Sequence, residues 1–254
     1  MEKRFLIRAD DLGYSKGTNY GIAETVRHGI IKTVGLMPNM PDASHGVGLL
    51  SGMRVCYGQH TNICVGKPLT NSKKIPSITQ ENGEFKTSKM YRDAAQRGED
   101  FVVLDEVVLE IEAQYQEFVR LIGQEPSYFE CHAISSPNFY KGLEIVAKKH
   151  GVDYLQIAFD KPFNFCGHGF RLVMEVGMPG YNPFETLKRG ILNGKSEDIP
   201  MMVCHPGYLD SYILRTSSLT MPRVLEVEMA CSVETRRWLE EHKIQLITYD
   251  DLKA

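Results

Sequence analysis

Short apolar runs alternate with amphipathic stretches along the whole of this 254-residue chain, and that alternation limits the fold more than any single residue does. An apolar run of five or so residues cannot cover itself, and an amphipathic helix has one apolar face to hide. The two must cover each other, which is the pattern of βα units on a largely parallel sheet. Strands are expected over residues 4–9, 33–37, 55–59, 127–131, 154–158, 201–204 and 244–248, with 224–229 also extended. Helices are expected over 19–28, 43–53, 107–122, 137–150, 183–192 and 233–242. The clearest has Val107, Val108, Ile111, Tyr115, Phe118, Val119 and Ile122 at helical spacing, with Gly123 as its stop. Residues 61–98 and 159–169 lack such periodicity, and the longer of the two is read as a lid or binding loop.

A chain of this length suits one α/β domain, and barrels of this size commonly stay undivided. The net charge of -3 argues against a nucleic-acid partner, which usually requires a basic excess. No apolar segment approaches the length of a membrane span, and Met1-Glu2-Lys3-Arg4 with three apolar residues after it is too short for a secretory signal. The cysteines at 56, 64, 131, 166, 204 and 231 form no CxxC pair and are read as reduced thiols. These features together are read as a cytoplasmic protein.

The chemistry is concentrated at strand ends. Asp10 and Asp11 close the first apolar run, and adjacent carboxylates are costly unless positive charge sits beside them. An aspartate turn before Gly13 would account for the pair by itself. Three of the eight histidines shift the balance: His60, His132 and His205 each follow directly on an expected strand. In a βα barrel the carboxyl ends of all strands gather at one rim. A set of aspartate and two histidines with open positions suits a hydrolytic divalent metal; imidazole favours zinc, and the carboxylate admits magnesium or manganese. The second carboxylate and the third histidine would then serve as base and acid.

With those residues in view, the chain resembles the YdjC-like carbohydrate deacetylases. The resemblance rests on Ala9-Asp10-Asp11-Leu12-Gly13-Tyr14-Ser15, on Gly58-Gln59-His60 leading to Gly66-Lys67-Pro68-Leu69-Thr70, on Cys204-His205-Pro206-Gly207-Tyr208-Leu209-Asp210, and on Pro222-Arg223. It implies a single-domain irregular (β/α) barrel over residues 1–254 and removal of N-acetyl groups from a small amino-sugar oligosaccharide, as in chitin degradation. By position it implies that Asp11, His60 and His132 bind a divalent ion, Mg2+ or Zn2+. Asp10 would be the general base, His205 the acid for the leaving amine, and Arg223 the residue holding Asp10. Tyr14, Lys67, Glu130, Tyr208 and Asp210 are the candidate sugar contacts, with phosphorylation of the sugar left open. The expected partner is thus a small carbohydrate, with no nucleic acid and no membrane; a homodimer is compatible with the resemblance.

One departure from the family pattern falls on Glu130-Cys131-His132-Ala133-Ile134-Ser135-Ser136, which keeps His132 but has glutamate at the usual aspartate and lacks the histidines that normally follow. The same residues also fit hydrolysis of another amide or a phosphoester, and a non-catalytic sugar-binding relative is the alternative from a different class.

Overall fold

The computed structural model describes residues 3–193 and 198–253. An eight-stranded sheet curls into a half-barrel, with helices packed on its outer face. In chain order the elements begin with β1 (Lys3–Leu12), α1 (Lys16–Arg27), β2 (Thr33–Leu36), α2 (Ala43–Leu49) and β3 (Cys56–Thr61). They continue with α3 (Ser88–Gln96), α4 (Leu104–Ile122), β4 (Phe129–Cys131), α5 (Pro137–His150), β5 (Phe163–Phe165) and β6 (His168–Val173). Last come α6 (Pro183–Leu192), β7 (Ile199–Cys204), α7 (Ser211–Thr216), α8 (Met221–Cys231), α9 (Val233–Glu241) and β8 (Ile244–Ile247). The strands lie in the order β4-β3-β2-β1-β7-β6-β5, and β8 joins the first half of β1. Every pairing is parallel except the β5–β6 hairpin.

The two-residue period of the strands sorts side chains between the helices and the inside of the curl. On β1, Phe5, Ile7 and Ala9 enter the cluster under the helices, while Leu6 packs inside against Met201 and Val203. Arg8 and Asp10 share the parity of Leu6. The same count places His60 with Cys56, Glu130 and His132 with Tyr128, and His205 with Met201 and Val203. The interior face thus begins apolar at the amino end of the sheet and turns polar at the carboxyl end.

Local chemistry accounts for several helix ends. Ser15, Ser136, Asn182, Asp210 and Ser232 each accept a main-chain N–H in the first turn that follows, and Gly123 and Gly151 close α4 and α5 with left-handed φ of 82° and 68°. Among the described residues no helix is long and apolar enough to cross a membrane. The six cysteines are free thiols.

Four expectations are corrected. Residues 154–158 form no strand: Tyr154 makes one parallel bridge to Phe129, and β4 is too short to template more. Residues 224–229 lie in α8 rather than in extended chain. Pro222 suits a first helical turn, and the buried Arg223, Glu226, Val227 and Ala230 recur at three- and four-residue steps; the β-branched valines misled. The stretch 159–169 holds a hairpin, turned by Cys166 and Gly167 at φ of 49° and 76°. Within 61–98, α3 forms, and its Tyr91 packs with Ile75, Ile78 and Phe85 against α4 and α5.

Two glycines on helices have opposite surroundings. A Cβ on Gly21 of α1 would lie 2.4 Å from the Cα of Gly207, so α1 rests on the turn that carries His205. A Cβ on Gly48 of α2 would meet nothing within 4 Å. Gly48→Ala should therefore stabilise by about 0.5–1 kcal/mol. Gly21→Ala should instead destabilise by about 1–3 kcal/mol through overpacking. Urea denaturation of the two variants measures both signs.

Candidate active site

Two consecutive strand residues normally point to opposite faces, yet Asp10 and Asp11 both reach the interior. Asp11 adopts φ of 77°, and the β1–β2 register shifts between Ala9 and Leu12. This left-handed bulge turns the second carboxylate back to the side of the first, a conformation that aspartate tolerates better than most residues. Gly35 of β2 leaves them room: a Cβ there would lie 2.9 Å from Asp10 Oδ1 and 3.2 Å from His60 Cβ.

Around Asp11 three potential ligand atoms converge. Its Oδ1 lies 3.3 Å from His60 Nε2 and 3.1 Å from His132 Nδ1, and those two nitrogens are 2.9 Å apart. One shared proton cannot satisfy three such edges. A cation with bonds of about 2.0–2.2 Å to nitrogen and oxygen would fill the triangle. Asp10 Oδ1 and Asp11 Oδ1 are buried without a hydrogen-bond donor, a second sign that positive charge belongs here. The residues present therefore fit a divalent ion.

Each member is held from behind. His60 Nδ1 is hydrogen-bonded to Glu130 Oε1, its neighbour in the β3–β4 register, which fixes the ring so that Nε2 faces Asp11. Arg8 Nη2 donates to Asp10 Oδ2 at 2.7 Å and lies 3.1 Å from Glu130 Oε2. Arg223 Nη2 donates to Asp11 Oδ2 at 2.8 Å, while its Nη1 donates to the His205 carbonyl at 3.2 Å. The expected pairing of Arg223 with Asp10 is thus corrected: Arg223 holds Asp11, and Arg8 holds Asp10. From α8, Glu226 accepts the His205 N–H at 2.6 Å and the Tyr181 hydroxyl at 2.7 Å.

Burial and these partners spread the proton affinities. Burial pushes Asp10 up to about 6, with Arg8 and His60 opposing it. Burial also opposes charge on Asp11, but Arg223 and His132 outweigh it and hold that carboxyl well below the usual range. For His60, Glu130 and Asp10 overcome burial and raise the imidazole to about 10. His132 is lowered by burial, against the pull of Asp11. Burial takes His205 down to about 3 although its ring edge reaches the cleft, and its Nδ1 has no partner. Glu226 is raised by burial to about 7.

The centre forms the floor of a cleft of about 390 Å³, to which Asp10, His60, His132 and His205 all contribute. Glu130 also borders it, with its oxygens engaged by His60 and Arg8. The other candidate sugar contacts are placed elsewhere. Tyr14 is buried, its ring edge against His132 and the Arg223 guanidinium over its face. Asp210 caps α7 and accepts from Gly17 N–H at 2.8 Å. Lys67 and Tyr208 are exposed and do not border this cleft.

Sequence reasoning missed Arg8, Gly35 and Glu226. Arg8 left a signal, a charged residue of inward parity inside an apolar strand; Gly35 and Glu226 left none.

Fold and site together define an α/β half-barrel with a buried carboxylate–imidazole centre at the carboxyl ends of its strands. The chain belongs to the YdjC-like protein family, whose model matches residues 4–241. It is similar to carbohydrate deacetylase 2 of Listeria innocua, with 27% identity covering 98% of each chain. It is also similar to the chitooligosaccharide deacetylase of Citrobacter koseri, with 28% identity over 99% of this chain and all of the relative. Among solved structures, an Enterococcus faecalis protein titled for cellobiose-phosphate cleavage superposes with a TM-score of 0.83 at 22% identity, covering 99% of each chain.

Because Asp11 is buried against Arg223, truncating the arginine strands a charge. Arg223→Ala should lose about 3–5 kcal/mol of stability. Denaturant unfolding in chelator-treated protein measures it, so that no bound ion masks the loss.

Proposed function

We propose that this protein is a metal-dependent deacetylase that removes an N-acetyl group from a small amino-sugar oligosaccharide of the chitooligosaccharide type. The observation that carries the reading is the triangle of Asp11 Oδ1, His60 Nε2 and His132 Nδ1, open to a cleft that Asp10 and His205 also border. The names of the relatives in Listeria and Citrobacter support the same substrate class.

Asp11, His60 and His132 would hold the ion, and two imidazoles beside one carboxylate favour zinc over magnesium. When bound, such an ion supplies a Lewis acid that polarises the acetyl carbonyl and makes water a better proton donor. Asp10 is the base: its Oδ2 is pinned by Arg8, and its Oδ1 is free to take a proton from water. His205 delivers the proton that the departing amine requires. It is neutral in the free protein, so it must take that proton from solvent in the cleft as negative charge develops on the substrate beside it, and the proton held by Asp10 returns to solvent after turnover. Arg223 positions both halves, since one guanidinium grips Asp11 and the His205 main chain. Glu130 orients His60, and its longer side chain reaches both that ring and Arg8. The segment 61–98 serves as a binding loop through Arg92, which borders the cleft.

Metal analysis and acetate release from an N-acetylglucosamine oligomer test the reading together. The wild type should bind one divalent ion, and an ion at a hundred times its dissociation constant should stabilise by about 2.7 kcal/mol. Chelation should lower the melting temperature of the wild type but hardly alter His60→Ala or His132→Ala. Asp11→Asn should lose metal and turnover together, whereas Asp10→Asn should keep metal and lose turnover. Equal chelator sensitivity in all variants would refute the ligand assignment.

The pH dependence has a definite sign. A base works when ionised, so kcat/KM should rise with pH through a midpoint at or below about 6 as Asp10 loses its proton. A nearby cation moves that midpoint down, because positive charge favours the carboxylate. His205 is already neutral throughout this range. His205→Ala should therefore lower the rate by about two to four orders of magnitude without moving the acidic limb. A limb that disappears with His205 would exchange the two roles.

A further inference from the structure

The half-barrel does not close, and the chain that crosses the opening borders the cleft. Sheet order ends at β4 on one side and β5 on the other. Residues 154–162 run between those edges, from the Tyr154 bridge beside Phe129 to the start of β5 at Phe163. Tyr154, Gln156, Ile157 and Phe159 all border the same cleft as Asp10 and His205.

Two properties of this crossing segment point to a ligand. The main chain of residues 156–159 makes no hydrogen bond to other main chain among the described residues. Its N–H and C=O groups therefore need partners from solvent or from a ligand. Phe159 is 72% exposed, the highest value among the exposed large apolar side chains of the described residues, and it stands at the cleft. A phenyl ring kept in water beside a catalytic floor has apolar area to bury only when something arrives to cover it.

A pyranose ring has matching features: an apolar C–H face and a rim of hydroxyl groups. We infer that the crossing segment is the subsite for the sugar ring adjoining the one that loses its acetyl group. Phe159 stacks on the face of that ring, and the free main-chain groups of residues 156–159 take its hydroxyls. At about 390 Å³ the cleft lies near the small end of ligand pockets, which suits a short oligosaccharide. Phe159 is thus a specificity residue for chain length. This inference rests on the deacetylase reading above.

The test uses N-acetylglucosamine and its β-1,4-linked dimer as probes, with wild type, Phe159→Ala and Phe159→Trp. Phe159 is exposed, so its truncation leaves no cavity in the core. Phe159→Ala should lower the dimer-to-monomer ratio of kcat/KM about tenfold, chiefly through KM for the dimer, and Phe159→Trp should restore it. Calorimetric binding of the dimer is measured in parallel in Asp10→Asn, with and without Phe159→Ala. Turnover with a ratio unchanged in Phe159→Ala overturns the subsite while leaving the deacetylase reading standing. Dimer binding that weakens about tenfold in Phe159→Ala, with no turnover by the wild type, supports the subsite and rejects deacetylation. Neither binding nor turnover rejects both.

Discussion

Everything at the carboxyl rim depends on the burial of three carboxylates within reach of one another. Asp10, Asp11 and Glu130 are almost without solvent contact, and each would be several kcal/mol too costly if left unpaired. Two guanidinium groups meet that cost from opposite sides: Arg8 from below, on the same strand, and Arg223 from α8, across the chain. Three negative charges against two positive ones leave an unmet demand for positive charge. In the absence of an ion a proton on His60 meets it, which is why that imidazole is held at about 10. A divalent ion would compete with that proton for the same electrostatic hole.

This arrangement also explains why the helices matter to the chemistry. Arg223, Glu226 and the α1–Gly207 contact all act on the His205 turn. Arg223 takes the carbonyl of His205, Glu226 takes its N–H, and Gly21 lets α1 approach Gly207 directly. His205 is therefore held by its main chain, and its ring is left free at the cleft. His60 is held the other way, through its ring, by Glu130. The difference suits the proposed roles, since a metal ligand would have to keep one nitrogen aimed and a proton carrier would gain from an unencumbered ring.

The departure from the family pattern at Glu130 acquires a physical meaning here. In sequence, Glu130 stands where the family usually has aspartate, with no indication of what the extra methylene does. In the structure the longer side chain spans from His60 to Arg8, so it ties that imidazole to the guanidinium that holds Asp10. Each of its oxygens thus already has one charged neighbour, His60 on Oε1 and Arg8 on Oε2, while the residue also borders the cleft.

The alternation of apolar runs and amphipathic stretches determined the fold class, because strands buried on both faces and one-sided helices can only cover each other. Parity then determined more than the strand count: Asp10, His60, His132 and His205 all fall on inward positions at the ends of their strands. Tertiary structure alone decided what parity forbids or ignores. Asp11 belongs to the outward set, and only the left-handed bulge brings it inside. The partners of the two arginines were undecidable from spacing, since Arg223 lies 212 residues from Asp11 and reaches it through the packing of α8. Residues 154–158 look like a strand by composition, but a strand needs a partner, and the short β4 offers one residue. Whether the sheet closed there was a property of its edges, and that opening is what gave the cleft its wall.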